Sequence, residues 1–377
     1  MKIKSAFSTN NQTKQAFNEV RSQLDNKAKI VLFFSSTNYD FHKLTSLFHQ
    51  DFKESEVLGV TTTGEITTEG FKEYSLSAIS FSGDDIRAKG ILMNDIEKYP
   101  IFHREELTSS LKHVGIDPNA HTYKGNELGL VFPNGLIAAE EKMLSVVNSV
   151  FKHDGFPLFG GTAGDNAKFV ETLVSYNGVT SNKGGLVLFM KSNSDFTIYK
   201  ENIFQTTQKV MKITRADAES RIVYEINGRK ASSEYARLLG VSESSLSNYF
   251  MSNPLGRRIN DEIFIASPFQ VLPSGAIQFY CQVYQDSVVY LLEPKPSIEA
   301  LKNTLSSVKK EFKEIEGVLA INCILRKLQF EQQNVVNSLN QELKGLPNLC
   351  GFSSYGEQLN KNQLNQTLVL LSFGQRK

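Results

Sequence analysis

Three stretches of the chain share one order of apolar and polar positions. Each has an apolar run, a polar turn, an amphipathic stretch at helical spacing, and a second short apolar run ending in a glycine loop. The first covers 29–65 (IVLFFSSTN, then LGVTTTGE), the second 127–165 (LGLVFPNG, then LFGGTAGD) and the third 317–357 (VLAINCILR, then LCGFSSYGE). Apolar runs of this length bounded by turn residues read as buried strands, and the stretch between them as a helix. Every closing loop repeats one pattern: an apolar residue or Cys, Gly, any residue, Ser or Thr, a short stretch holding a second Gly, and an acid. The interval to that loop is nearly constant, from Phe33 to Gly59, Phe132 to Gly160 and Cys323 to Gly351. Such repetition sets the architecture before any single residue does. It predicts parallel strand pairs joined by crossover helices.

The intervening sequence adds further elements. A strand is expected over 3–7, and a helix over 11–24 with Ala16, Phe17, Val20 and Leu24 on one face. The helix of the first unit buries Phe41, Leu44, Leu47 and Phe48. A strand over 74–82 is expected to pair as a hairpin with 86–93 across Gly83-Asp84-Asp85. A helix follows over 104–114. The second unit's helix presents Met143, Val146, Val147 and Val150 at helical spacing. Strands over 171–176 and 184–190 are joined through Asn177-Gly178. The polar, weakly patterned stretch 192–208 marks a domain boundary and divides the chain into 1–194 and 195–377. Beyond it come strands over 208–215 and 222–226, a helix over 231–239, antiparallel strands over 262–266, 276–283 and 288–292, a helix over 298–314 and a last strand over 364–373. The expected fold class is α/β: two domains with mixed sheets, built from repeated βαβ units plus antiparallel hairpins.

Composition narrows the function classes. A chain of 377 residues is long for one domain. Its net charge of +1 supplies no field to recruit nucleic acid. Lys309, Lys310 and Lys313 alternate with Glu311, Glu314 and Glu316, which reads as the solvated face of a helix. The start MKIKSAFSTN has no apolar h-region, and no run approaches the ~18 apolar residues of a membrane span. A cytoplasmic protein without membrane insertion is therefore expected. Cys281, Cys323 and Cys350 show no CxxC spacing and read as buried, reduced thiols in strands.

Candidate chemistry concentrates in the loops. Glycines such as Gly161 let backbone N–H groups approach a ligand, and the hydroxyls of Thr61, Thr62, Thr162 and Ser353 can donate or accept. Glu65, Asp165 and Glu357 close the loops. The same residues also read as tight turns whose acids cap neighbouring backbone. Arg326, where a strand end meets a helix start, offers a guanidinium fork for a carboxylate. It could equally pair with Glu357 or Asp165. Asn134 occupies the matching strand end of the second unit, and Ser35 and Ser36 that of the first; each also reads as a cap. Cys323 is a candidate nucleophile only if a base lies near it, and otherwise a structural thiol. None of the loops matches GxGxxG or a P-loop, and no GxSxG elbow occurs. The six histidines have no HExxH or CxxCH context.

The loops Gly59 to Glu65, Gly160 to Asp165 and Gly351 to Glu357 resemble those of the FIST family, bacterial sensory proteins with paired N- and C-terminal FIST domains. Three further segments share the resemblance: Glu225 to Ala231 (EINGRKA), Asn253 to Gly256 (NPLG) and Asn322 to Arg326 (NCILR). They follow the family's order over roughly 28–373. The resemblance implies an intracellular sensor of small ligands, amino acids or other small carboxylates, held by Arg326 and the loop hydroxyls. It implies signalling to a histidine kinase, cyclase or chemotaxis protein, here a separate partner because no output domain is fused. One branch of the family is described as binding haem and responding to nitric oxide, so haem is an alternative cofactor. A hydrolase or other enzyme using the loop cleft is the other alternative.

Overall fold

The computed structural model describes residues 1–123, 125–259 and 262–377. The first unit runs β1 (Lys2–Ser8), α1 (Thr13–Arg21), β2 (Ile30–Ser35), α2 (Phe41–Asp51), β3 (Glu56–Thr61), β4 (Glu65–Thr67), β5 (Gly70–Lys72) and β6 (Leu76–Ser82). The second repeats that order with β7 (Arg87–Met93), α3 (Arg104–Val114), β8 (Glu127–Pro133), α4 (Glu140–Ser149), β9 (Leu158–Gly161), β10 (Val174–Tyr176), β11 (Val179–Ser181) and β12 (Gly185–Lys191). The third opens with β13 (Asp195–Asn202). An inserted module intervenes: β14 (Phe204–Asp217), β15 (Ile222–Ile226), β16 (Arg229–Lys230), α5 (Ala231–Leu239), β17 (Leu255–Ile259), β18 (Glu262–Ala266), β19 (Pro268–Val271), β20 (Ile277–Phe279) and β21 (Val288–Pro294). The third unit then resumes with α6 (Ser297–Glu311), β22 (Phe312–Cys323), α7 (Ile324–Gln332), α8 (Val336–Leu343), β23 (Leu349–Ser354), β24 (Glu357–Leu359), β25 (Asn362–Leu364) and β26 (Thr367–Arg376).

Each unit contributes one parallel pair, β2/β3, β8/β9 or β22/β23, as the repeat predicts. Antiparallel strands of the same unit flank it. The far edge of each sheet is borrowed. The hairpin β10–β11 extends the first unit's sheet beyond β3, β24–β25 extends the second's beyond β9, and β4–β5 extends the third's beyond β23. Every unit therefore lends its hairpin to a neighbour, and the loan closes a ring of three. The mixed α/β class is as expected. The position 194/195 lies just before β13, whose partner β26 is the last strand of the chain.

Two expectations of local pairing are corrected. Strand β7 does not pair with β6: it pairs with β12, while β6 lies between β1 and β2. Gly83 and its neighbours thus carry the chain between two sheets rather than around a hairpin. Asn177-Gly178 turns β10 into the short β11, not into β12. The polar, weakly patterned stretch 192–208 holds the half-buried edge strand β13 and the start of β14. In addition, α6 ends at Glu311, so Lys313, Glu314 and Glu316 lie on β22. Cys281 lies just past β20 rather than within a strand.

The three sheets turn their inner faces to one core. Phe34 of β2, Phe132 of β8 and Phe352 of β23 meet at ring-centroid distances of 4.8, 6.1 and 6.3 Å. The outer faces are covered by the helices of their own units, which gives separate clusters around Phe33 and Phe48, around Phe189 and Val147, and around Phe330 and Leu305. Burial on both faces explains why β2, β6 and β8 are continuously apolar or small instead of alternating. The loop glycines Gly160 and Gly351 belong to this packing. A Cβ at either would stand 1.7 or 1.8 Å from the carbonyl oxygen of Val131 or Ala320 on the neighbouring parallel strand.

Candidate functional site

The three glycine loops leave the C-terminal ends of β3, β9 and β23 and meet around the common axis. Backbone bonds link them in a cycle. Thr63 N–H donates to Ser353 O at 3.0 Å and Ser353 N–H to Gly64 O at 2.7 Å. Gly164 N–H donates to Thr61 O at 2.8 Å, and Thr162 N–H to Gly356 O at 2.8 Å. The sequence-predicted residues of all three loops are thus brought together. They are also buried: Thr61, Thr62, Glu65, Thr162, Asp165, Ser353 and Glu357 are each at most 2% exposed.

Within this hub most polar groups answer one another. Glu65 accepts from the hydroxyls of Thr62 and Ser75 and from Ser75 N–H. Glu357 stands in the same relation to Ser354, Thr367 Oγ1 (both 2.7 Å) and Thr367 N–H. Burial pushes both carboxyls up to about 7, although these donors pull the other way. Burial acts against Asp165 too. There the Tyr355 hydroxyl and the N–H groups of Phe169, Val170 and Glu171 outweigh it and hold the carboxyl below its usual range. Thr61 Oγ1 exchanges bonds with Leu173, and Thr162 Oγ1 accepts from Gln358 at 2.8 Å. Ser353 Oγ is buried with no partner. Asn134 binds Thr172 through both ends of its amide.

Arg326 is 1% exposed. Its Nε donates to Asn322 Oδ1 at 3.0 Å, and its Nη2 pairs with Glu201 of β13 rather than with Glu357 or Asp165. Cys323 is buried beside Glu357, and burial holds its thiol well above the ordinary range, unlike an activated nucleophile. Gly161 packs against Ile321 and Phe352.

A cavity of about 120 Å³ opens beside the hub. Thr63 and Gly64 of the first loop, Asn166 and Ala167 beyond the second, Glu73, Tyr74, and Ile324, Lys327, Leu328 and Glu331 of α7 line it. Lys327 is 8% exposed, and its Nζ reaches Thr63 O at 3.4 Å. Its counterions, Glu73 and Glu331, have side chains 53% and 41% exposed. The strap 166–169, of which Asn166 and Ala167 line the cavity, carries left-handed backbone at Asn166, Ala167 and Phe169, with φ of 58°, 57° and 55°. Non-glycine residues held there store strain. The bonds that Asp165 accepts fix this strap, and Phe169 stacks on Tyr355 at 5.2 Å. Sequence reasoning passed over Lys327: a lysine next to Arg326 in a mixed helix carries no signal until the loops are folded against it.

Among the described residues, no histidine lines the cavities of about 210 and 120 Å³. His113 borders only an open groove with Lys29, Glu54 and Arg87, and His103 bonds to Asn94 O at 2.9 Å. No described helix is long and apolar enough to cross a membrane.

Residues 29–229 match the model of the FIST N domain and residues 231–360 that of the FIST C domain. An uncharacterized protein of Methanocaldococcus jannaschii is 22% identical over 93% of this chain and 74% of its own length. A chain of the PurLQS structure from Thermotoga maritima covers 100% of this chain and 72% of its own at 9% identity and a TM-score of 0.19, a likeness too low to carry an argument.

Proposed function

The chain belongs to the FIST family, with a FIST N followed by a FIST C domain, and on that premise we propose that it is a sensor taking a small carboxylate, amino acids included, at the loop hub. FIST domains are associated with sensory signal transduction and small-ligand binding. The observation that carries the site is Lys327, a nearly buried cation at a cavity where two repeat loops and α7 meet, neutralised by acids that reach it from solvent. Glu73 reaches the cation from solvent, with a side chain 53% exposed, so a ligand carboxylate can take its place while Glu73 returns to water. Thr63 and Asn166 would orient the remainder. Arg326, paired with Glu201, supports the hub from behind. Occupancy would press on the strained strap at 166–169 and alter the surface around Phe169 and Val170, which are 54% and 80% exposed. A separate kinase, cyclase or chemotaxis protein would read that surface. The switch operates only if ligand binds one strap conformation more tightly than the other.

Thermal melting against a panel of amino acids and small carboxylates tests this reading. A ligand at a hundred times its dissociation constant stabilises by about 2.7 kcal/mol. With an unfolding entropy near 0.8 kcal/mol/K for 377 residues, Tm should rise by about 3 °C. Lys327→Met should abolish the shift. A shift that survives Lys327→Met removes the hub cavity as the site.

A further inference from the structure

A larger enclosed cavity, about 210 Å³, lies away from the hub between the inserted module and the body. We propose that it is a second ligand site, built for a small organic monocarboxylate with an apolar chain, and that this ligand bridges the two parts of the molecule. The volume equals about seven waters at ~30 Å³ each, enough for a short acyl chain. Phe264, Ile265 and Val289 of the inserted sheet supply apolar wall. The polar groups are unequal in sign. Arg257 of β17 forms no ion pair with a carboxylate among the described residues; its guanidinium carbon lies 6.0 Å from the Tyr284 ring centroid. Lys361, at the turn between β24 and β25, stands opposite on the body. Its pairing with Asp154 is a surface contact between side chains 51% and 83% exposed, and is readily given up.

Glu141 is the acid in the lining, and both its oxygens are committed. Oε1 accepts from Gln282 N–H at 2.9 Å, and Oε2 pairs with Arg221 of the inserted module. With the one acid of the lining committed to Arg221 and Gln282, and Arg257 and Lys361 both cationic, the charge balance favours an anion with a hydrocarbon body over an amino acid, whose α-ammonium adds like charge. A guanidinium fork binds a carboxylate bidentately, and Lys361 can close on it from the other side. Entry is provided by a wider groove of about 810 Å³ along α4, which shares Glu141, Gln282, Tyr284 and Lys361 with the cavity. Because one cation belongs to the inserted module and the other to the body, the bound carboxylate is a link between them.

Calorimetric titration of the full chain with hexanoate, hexanol and norleucine tests the proposal. Norleucine is hexanoate carrying an α-ammonium. Hexanoate should bind, with hexanol and norleucine at least about tenfold weaker, the value of one charge-assisted hydrogen bond. Arg257→Ala should weaken hexanoate by about tenfold or more, and Arg257→Lys should recover part of it. Lys361→Ala, at a half-exposed side chain where folding is not in question, should weaken it by a smaller factor. The same titrations in Lys327→Met, which removes the hub's carboxylate site, should still show hexanoate binding that Arg257→Ala weakens, which separates this site from the hub. Absence of hexanoate binding at millimolar concentration overturns the proposal. So does binding that Arg257→Ala and Lys361→Ala leave intact, and equal affinity for norleucine overturns the ligand class.

Discussion

Glu65→Gln offers a quantitative test of the hub. Glu65 is fully buried, and its carboxyl is pushed from an ordinary 4.5 up to about 7. Between those values the unfolded chain has released the proton while the folded chain still holds it. Stability tied to this group is therefore complete below pH 4.5 and falls as pH rises, levelling off once the folded carboxyl ionises near 7. Each pH unit across the gap is worth about 1.4 kcal/mol, so the full loss approaches 3.5 kcal/mol. With an unfolding entropy of about 0.8 kcal/mol/K for 377 residues, that is about 4 °C in Tm. Glutamine does not titrate, and the hydroxyls of Thr62 and Ser75 can rotate to accept from its amide. Melting curves at pH 5 and pH 8, followed by far-UV circular dichroism because the chain has no Trp, should show the variant losing about 3 °C less than wild type over that interval, since part of the loss has already occurred at pH 5. Glu357, held in the same way by Ser354 and Thr367, should repeat the result. Parallel pH profiles for wild type and Glu65→Gln would refute the account of a buried, proton-bearing hub.

Arg326→Met leaves Glu201 charged and alone at 3% exposure and should cost about 3–5 kcal/mol, read as a Tm fall of several degrees; adding Glu201→Leu should recover most of it. Gly160→Ala places a Cβ 1.7 Å from Val131 O and should destabilise at or beyond the upper end of about 1–3 kcal/mol, measured by the same melts. Asp165→Asn weakens the bonds that hold the left-handed residues 166–169, so limited proteolysis should cut near Phe169 sooner than in wild type, with little change in global Tm. Cys323, kept as a neutral thiol by burial, should react with a maleimide far more slowly at pH 7.5 than free cysteine, and only after unfolding.

The parallel pairs were legible because the same apolar run and glycine loop recur three times, and α3, α5 and β15 fall where helical or strand patterning places them. Pairing was not legible. Nothing in YSLSAISFS or in the segment ending Ile91-Leu92-Met93 distinguishes two strands of a hairpin from two strands of different sheets, because both are buried alike. Asp195–Asn202 was hidden by its half-exposed edge position. At the hub, the residue types were visible and their roles were not. Arg326 looked free because Glu201, its partner, lies 125 residues away on that unrecognised strand. Lys327 and the Arg257 cavity depend on surfaces brought together from distant parts of the chain, and no local pattern encodes them.

The exchange of hairpins sets an order on how the chain can assemble as it is made. Residues 65–72 belong to an edge whose neighbour, β23, begins at Leu349. That is a delay of 277 residues counted from Lys72 to Leu349, or about 15–55 s at ordinary synthesis rates. Until then the first unit leaves the ribosome with a two-stranded flap that has no sheet to join, while its own sheet waits for a hairpin from the second. Strands β23 to β25 complete the ring, so a nascent chain stalled before Leu349 would expose unpaired β edges and be a target for chaperones, however well its early helices had formed.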